Sequence, residues 1–306
     1  MSRSRSPHTI RRSITVQGQG VHSNLPCKVV IHPAEQPTGL RFLHAPTGTI
    51  IPVAPEFVGD ISLATTLCRD GIRLGTVEHL LSAVVGLEIE HALIEVDGTE
   101  LPILDGSAAP WVKAITEAGT RALPGTRRFI KILRPIEVQG NNKWMRISPH
   151  PGFRVRYTID FDHPAIGRQV RELTFTPEKY LREVSSARTF CMERDIAFMQ
   201  SRGLALGGGL DNAVVFGLNG PLNDALRFED EAVRHKMLDL VGDFALLGAP
   251  MLGFVDAFAA GHALHVSMVK AILDNPTAWT WSEGLEAAPS KTKLFHPLHQ
   301  IRPALA

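Results

Sequence analysis

Two helical stretches carry residues able to hold a metal ion and move protons beside it. The first reads Thr76-Val-Glu-His-Leu80 and runs to Gly86. At about 3.6 residues per turn, Val77, Leu80, Leu81, Val84 and Val85 share one apolar face. His79 falls nearly opposite that face and Glu78 on its flank. Ser82, Ala83 and Gly86 complete the outer side, small enough for another segment to come close. In the second stretch Val233, Met237, Leu240, Val241, Phe244 and Leu247 form the apolar face. His235, Asp239 and Asp243 stand at i, i+4 and i+8 on the other side, with Gly242 leaving space beside them. His235 and Asp239, one turn apart, reach a common point. Taken singly, each pattern is also what a solvated helix face looks like. Taken together, they offer His79, His235 and Asp239, two imidazoles and a carboxylate. That is a catalytic zinc set with a fourth position free for water. Glu78, next to a ligand but not one itself, suits proton abstraction from that water.

The elements that must position these residues follow from pattern and punctuation. Strand-like runs at Ser13–Gln17, Cys27–His32 and Gly39–Leu43 are separated by Pro and Gly. Arg73–Asp97 reads as strand, helix and strand. Ala108–Ala118 reads as a helix ended by Gly119. Leu123-Pro-Gly-Thr126 has linker character. Strands resume at Arg128–Leu133, Lys143–Ser148 and Phe153–Asp160. A helical region follows over Pro177–Gln200, then a helix over Asn223–Leu247 and an apolar strand at Met251–Ala257. Each half thus holds strands, a helix and an apolar strand, which suggests an internal duplication. Strands grouped with helices, without strict alternation, favour α+β layers. The expectation is two similar two-layer α/β sandwich domains, residues 1–124 and 127–275, with the active site between them. Residues 276–306 are expected to form an irregular tail.

Composition narrows the function classes. The chain has 306 residues, 44% hydrophobic and 21% charged, as a globular protein does. Its 32 Lys and Arg against 31 Asp and Glu leave a net charge of +1, so no nucleic-acid partner is expected. Three scattered cysteines, Cys27, Cys68 and Cys191, make no disulfide framework and favour a reducing cytoplasm. The basic N-terminus lacks an apolar segment and is not expected to be a secretory signal. Leu238–Ala260 imitates a membrane span, but Asp239, Asp243, Asp256 and Pro250 break it. It reads as helix, turn and buried strand, so no transmembrane segment is expected.

Longer motifs extend the two helices. They are Ile10-Arg-Arg-Ser13, Gly18-Gln-Gly-Val-His22, Leu101-Pro-Ile-Leu-Asp-Gly-Ser-Ala-Ala-Pro110 and Thr158-Ile-Asp-Phe-Asp-His-Pro-Ala-Ile166. Ala187-Arg-Thr-Phe190, Gln200-Ser-Arg-Gly-Leu204, Leu226-Arg-Phe-Glu-Asp-Glu231, Val233-Arg-His-Lys-Met-Leu-Asp239 and Gly261-His-Ala-Leu264 follow. With these, the chain resembles the bacterial UDP-3-O-acyl-N-acetylglucosamine deacetylases, zinc enzymes of the committed step of lipid A synthesis. The resemblance covers nearly the whole chain. It implies a cytoplasmic, monomeric hydrolase that removes the acetyl group from a UDP-linked acylated N-acetylglucosamine. It matches His79, His235 and Asp239 to the zinc ligands and Glu78 to the general base. It matches His262 to a second catalytic group paired with Asp243, and Thr189 to an oxyanion-stabilising residue. It matches Lys236 and Phe161 to contacts with the nucleotide sugar, and places Phe190 at the edge of the acyl passage. Ala64 stands where the family often has Cys, so position 64 is no metal ligand here. Cys191 stands where a small residue is expected, and Gly207-Gly-Gly209 lies in the acyl-passage insert. Two rivals remain at this stage: a zinc amidase for another acetamidosugar, and a non-catalytic metal-binding α+β protein.

Overall fold

Strand pairing shows one plan used twice. The computed structural model describes residues 6–283. The first sheet takes its strands in the spatial order Ile14–Gln19, Pro26–Pro33, Ala92–Val96, Leu40–His44 and Thr49–Pro52. Along that order the pairings are antiparallel, antiparallel, parallel and antiparallel. In the second sheet Ile136–Gly140, Lys143–Ser148, Met251–Phe258, Phe153–Asp160 and Arg168–Thr174 pair in the same sequence of directions. In both, the central strand is the last of its five in the chain. It is reached through a helix, α1 (Glu78–Gly86) in the first half and α5 (Glu231–Asp243) in the second. Another helix follows it in each case, α2 (Ala109–Ala118) and α6 (His262–Leu273). The shared topology is what a duplicated unit would leave behind.

Each sheet buries one face by simple alternation. Cys27, Val29 and Ile31 are buried along one strand, and Val155, Tyr157 and Ile159 along another. Between the sheets' helices, α1 and α5 pack against each other. Gly242 makes this possible, because a Cβ there would sit 2.1 Å from the Glu78 backbone oxygen. The helix backbones touch at the residue that begins α1. The small outer face of α1 is filled in the same way by α3 (Pro177–Glu183). Its Tyr180 covers Gly86 and bonds Ser82 through its hydroxyl at 3.0 Å. The two faces that would be solvated on isolated helices therefore face each other in the interior.

Several elements differ from the sequence expectation. The region 177–200 is not one helix. It holds α3, a short strand at Phe190–Met192 and α4 (Glu193–Ser201). The helix expected from Asn223 starts at Glu231. Upstream, the Asn223 side chain binds the backbone of Leu210, Ala213 and Val215, and the Glu231 carboxylate takes the Arg227 N–H. Such local bonds compete with helical ones. The expected irregular tail contains a strand, Trp279–Ser282, antiparallel to Phe129–Ile132. Residues 284–306 of that tail lie outside the described residues. Residues Leu238–Ala260 run as helix, a left-handed turn at Gly248 and a strand, as read from the sequence. Among the described residues no helix is long and apolar enough to cross a membrane.

Candidate metal and proton-transfer site

The contact of α1 with α5 sets the site. α1 contributes Glu78 and His79 from its first turn, α5 contributes His235, Asp239 and Asp243 along its length, and α6 closes the site from one side with His262. Within this junction His79, His235 and Asp239 bring one ligand atom each to within 4.8 Å of one another. The His235 Nδ1–H donates to the Ala187 carbonyl at 3.0 Å, which turns Nε2 toward Asp239 and His79. That Nε2 lies 3.1 Å from Asp239 Oδ1, and His79 Nε2 lies 3.9 Å from the same oxygen. The two imidazole rings meet edge to face at 5.0 Å.

The chemistry of this donor set fits a divalent cation such as zinc. Burial, with His235 beside it, lowers His79 to about 3, so its ring is neutral and free to coordinate. His79 Nδ1 is buried and has no hydrogen-bond partner among the described residues. Burial opposes ionisation of Asp239, yet His235 and the Lys236 ammonium hold its carboxyl well below the usual range. Lys236 Nζ donates to Asp239 Oδ2 at 2.7 Å, leaving Oδ1 toward the histidines. Two imidazoles and a carboxylate converging in the buried junction offer one donor atom each to a single cation.

Beside the cluster sits a second, acid–base set. Glu78 Oε2 accepts the Thr65 N–H at 3.0 Å, and Oε1 lies 3.9 Å from His262 Nε2. Burial pushes the Glu78 carboxyl up to about 7, although His262 opposes this. Asp243 is fully buried. Its Oδ1 accepts the Thr65 hydroxyl at 2.6 Å, and its Oδ2 accepts Nδ1–H from His262 at 2.8 Å. Burial works against both charges, but the pairing wins. Asp243 is lowered to about 2 and His262 is raised to about 9. At neutral pH the pair is an ion pair whose free imidazole nitrogen faces Glu78.

The residues expected to meet substrate pack against one another and against His235. Phe190 packs edge-on against Phe161 at 5.5 Å and against His235 at 6.4 Å. Lys236 Nζ lies 5.7 Å from the Phe190 ring centre. Thr189 sits between Ala187, which holds His235, and Phe190. Its backbone is fixed by Gly106 and Val214, and its hydroxyl makes no hydrogen bond among the described residues. The structure thus gathers Glu78, His79, His235, Lys236, Asp239, Asp243 and His262 directly. Thr189, Phe190 and Phe161 join through the segment against His235. Ala64 is buried, and its Cβ offers no ligand. Sequence reasoning missed Thr65, which bridges Glu78 and Asp243, as well as His265 and Tyr157. The spacing of His265, three residues after His262, is the one available signal, and it needs α6 to be recognised first.

Comparison with known proteins gives the family. A family model described as LpxC, UDP-3-O-acyl N-acetylglycosamine deacetylase, matches residues 7–274. A UDP-3-O-acyl-N-acetylglucosamine deacetylase of Haemophilus influenzae (strain 86-028NP) is 42% identical over 277 residues, covering 89% of this chain and 91% of the relative. The protein of the same name from Anaeromyxobacter dehalogenans (strain 2CP-C) is 42% identical over 271 residues, 88% of each. That of Nitratidesulfovibrio vulgaris (strain Hildenborough) is 41% identical over 305 residues, 97% of this chain and 99% of the relative. Both halves of the split site fall inside the matched span, and the chain belongs to the UDP-3-O-acyl N-acetylglycosamine deacetylase family.

Proposed function

We propose that this protein hydrolyses the acetamide of UDP-3-O-(3-hydroxyacyl)-N-acetylglucosamine, giving acetate and the free amine, the committed step of lipid A synthesis. The observation that carries the mechanism is the convergence of His79, His235 and Asp239 next to a base–acid pair, Glu78 and His262, 3.9 Å apart. Zinc would be held by His79, His235 and Asp239. When bound, it supplies Lewis acidity at the acetyl oxygen and acidifies a nearby water. The reading divides the chain into domains 1–124 and 127–275, and its three free thiols accord with a reducing cytoplasm.

The protein's own groups account for the proton transfers. Glu78, pushed up to about 7, is matched to accept a proton from water near neutral pH. The water oxygen bonds to the acetyl carbon as that proton leaves. The Thr189 hydroxyl, unengaged among the described residues, donates toward the oxygen where negative charge grows. The C–N bond then breaks, and the departing nitrogen takes a proton from His262 Nε2. Asp243 keeps His262 charged for that step. Lys236 and Phe161 contact the nucleotide sugar, and Phe190 borders the acyl chain.

The test is an assay for released acetate. The acylated UDP-sugar is compared with UDP-N-acetylglucosamine, using metal-stripped and zinc-restored protein. Turnover is expected only with restored metal, and much faster on the acylated substrate. Full activity of metal-free protein, or no preference for the acyl chain, would refute the proposal.

A further inference from the structure

Asp243 carries a second imidazole that the reaction as described does not use. His265 lies one helical turn beyond His262 on α6 and is wholly buried. Its Nδ1 is 2.7 Å from Asp243 Oδ2, the oxygen that also receives His262. Its Nε2 is 2.9 Å from the hydroxyl of Tyr157, which reaches in from the strand Phe153–Asp160. Nδ1 must carry hydrogen to face a carboxylate, so Nε2 is the acceptor and the Tyr157 O–H donates. Burial agrees on both counts. It lowers His265, which stays neutral, and raises Tyr157 well above its usual value, so the phenol keeps its proton.

We propose that His265 is a positioning residue for the proton donor, locking the Asp243 carboxylate in place and, through it, the ring of His262. This rests on the reading of His262 as the acid. Asp243 has three donors, the Thr65 hydroxyl on one oxygen and two imidazoles on the other. With His265 removed, the carboxylate keeps only Thr65 and His262, and His262 loses the firmly placed partner that aims its Nε2 toward Glu78. Sharing the carboxylate also limits how strongly Asp243 holds the His262 proton. The charged groups facing His262 are Asp243 and Asp239 from α5 and Glu78 from α1; His265 faces it from its own helix. Of these, only Asp243 bonds it directly through a carboxylate.

His265→Leu and His265→Asn, each alone and combined with His262→Ala, test the idea. His265→Leu is expected to lower kcat on the order of 10- to 100-fold with KM little changed. It is also expected to move the alkaline limb of the kcat–pH profile upward, because Asp243 then acts on His262 alone. His265→Asn keeps an N–H where Nδ1 stood, and is expected to recover most of the rate and the original limb. Added to His262→Ala, His265→Leu is expected to cost nothing further, since it acts through the missing ring. Equal losses in the Leu and Asn variants with an unmoved limb would make His265 a packing residue and overturn the proposal. So would a loss that multiplies that of His262→Ala. Normal turnover by His262→Ala alone would instead remove the acid assignment itself, so the two failures are read from different proteins.

Discussion

Gly242→Ala probes the contact on which the whole site depends. The added Cβ would lie 2.1 Å from the Glu78 carbonyl oxygen, 2.8 Å from its carbon and 3.0 Å from its Cα. All three are backbone atoms, so no side-chain rotation relieves the clash. An ordinary contact needs roughly 1 Å more than the shortest of these, and the helices must part by about that much. α1 carries Glu78 and His79, while α5 carries His235, Asp239 and Asp243. Metal–ligand distances tolerate only about 0.2 Å, so a 1 Å shift moves His79 out of range of a cation held by α5. Overpacking is expected to cost about 1–3 kcal/mol of stability. The displacement is expected to cost about 100-fold in kcat, with weaker zinc retention. Thermal melting, zinc content after dialysis and acetate release measure the three effects. Gly220→Ala, where a Cβ meets no atom within 4 Å, serves as the neutral control. A Gly242→Ala protein that melts, binds zinc and turns over like the parent would show that the two helices do not build one site.

Three further outcomes follow from the acid–base set. Glu78→Gln keeps the shape of the side chain and is expected to retain zinc while losing most activity, on the order of 100-fold or more; near-normal turnover would exclude Glu78 as the base. His262→Ala is expected to lose the alkaline limb of the pH–rate profile, which in the parent reflects a group raised to about 9; an unchanged bell shape points to another acid. The Asp243–His262 pair also couples to stability. Asp243, lowered to about 2 from 3.8, contributes above 3.8 and loses that contribution as pH falls through 2. His262, raised to about 9 from 6.5, contributes fully below 6.5 and loses that contribution as pH rises through 9. The melting-temperature gap between the parent and Asp243→Asn is therefore expected to narrow from pH 6.5 to 9, and a constant gap would deny the pairing.

What the sequence disclosed, and what it concealed, depends on how each residue is buried. Lys143–Ser148 and Phe153–Asp160 stand where alternation places them, because each has one face in the core. The two ligand-bearing helices were legible for a related reason. Each carries an apolar stripe, and the polar residues opposite form a visible exception. α6 hides its histidines differently. Its exposed side is Ala263, Ser267 and Lys270, and His262 and His265 lie on the apolar side among Leu264, Val266, Met268, Val269 and Ile272, so no polar face marks them out. The start of α5 was misplaced because the Asn223 and Glu231 side chains capture backbone groups that a pattern of residue types does not reveal. Trp279–Ser282 carries a Trp-Thr-Trp alternation that sequence alone could have supported as a strand.

The same logic divides the site. A metal ligand must protrude from its helix into a shared space, and residues that do so leave a periodic mark. Thr65, Tyr157 and His265 act from a loop, a strand and the buried side of a helix, and they bind protein groups. Nothing in their spacing separates them from ordinary core residues. They come together because the duplicated plan sets α1 and α5 in matching positions and Gly242 lets them touch. Without that contact, Thr65, from the segment before α1, has no path to Asp243 on α5. Each half therefore shows its own ligands as an exception to its apolar stripe, but the metal cluster and the proton circuit both exist only once the two halves have docked.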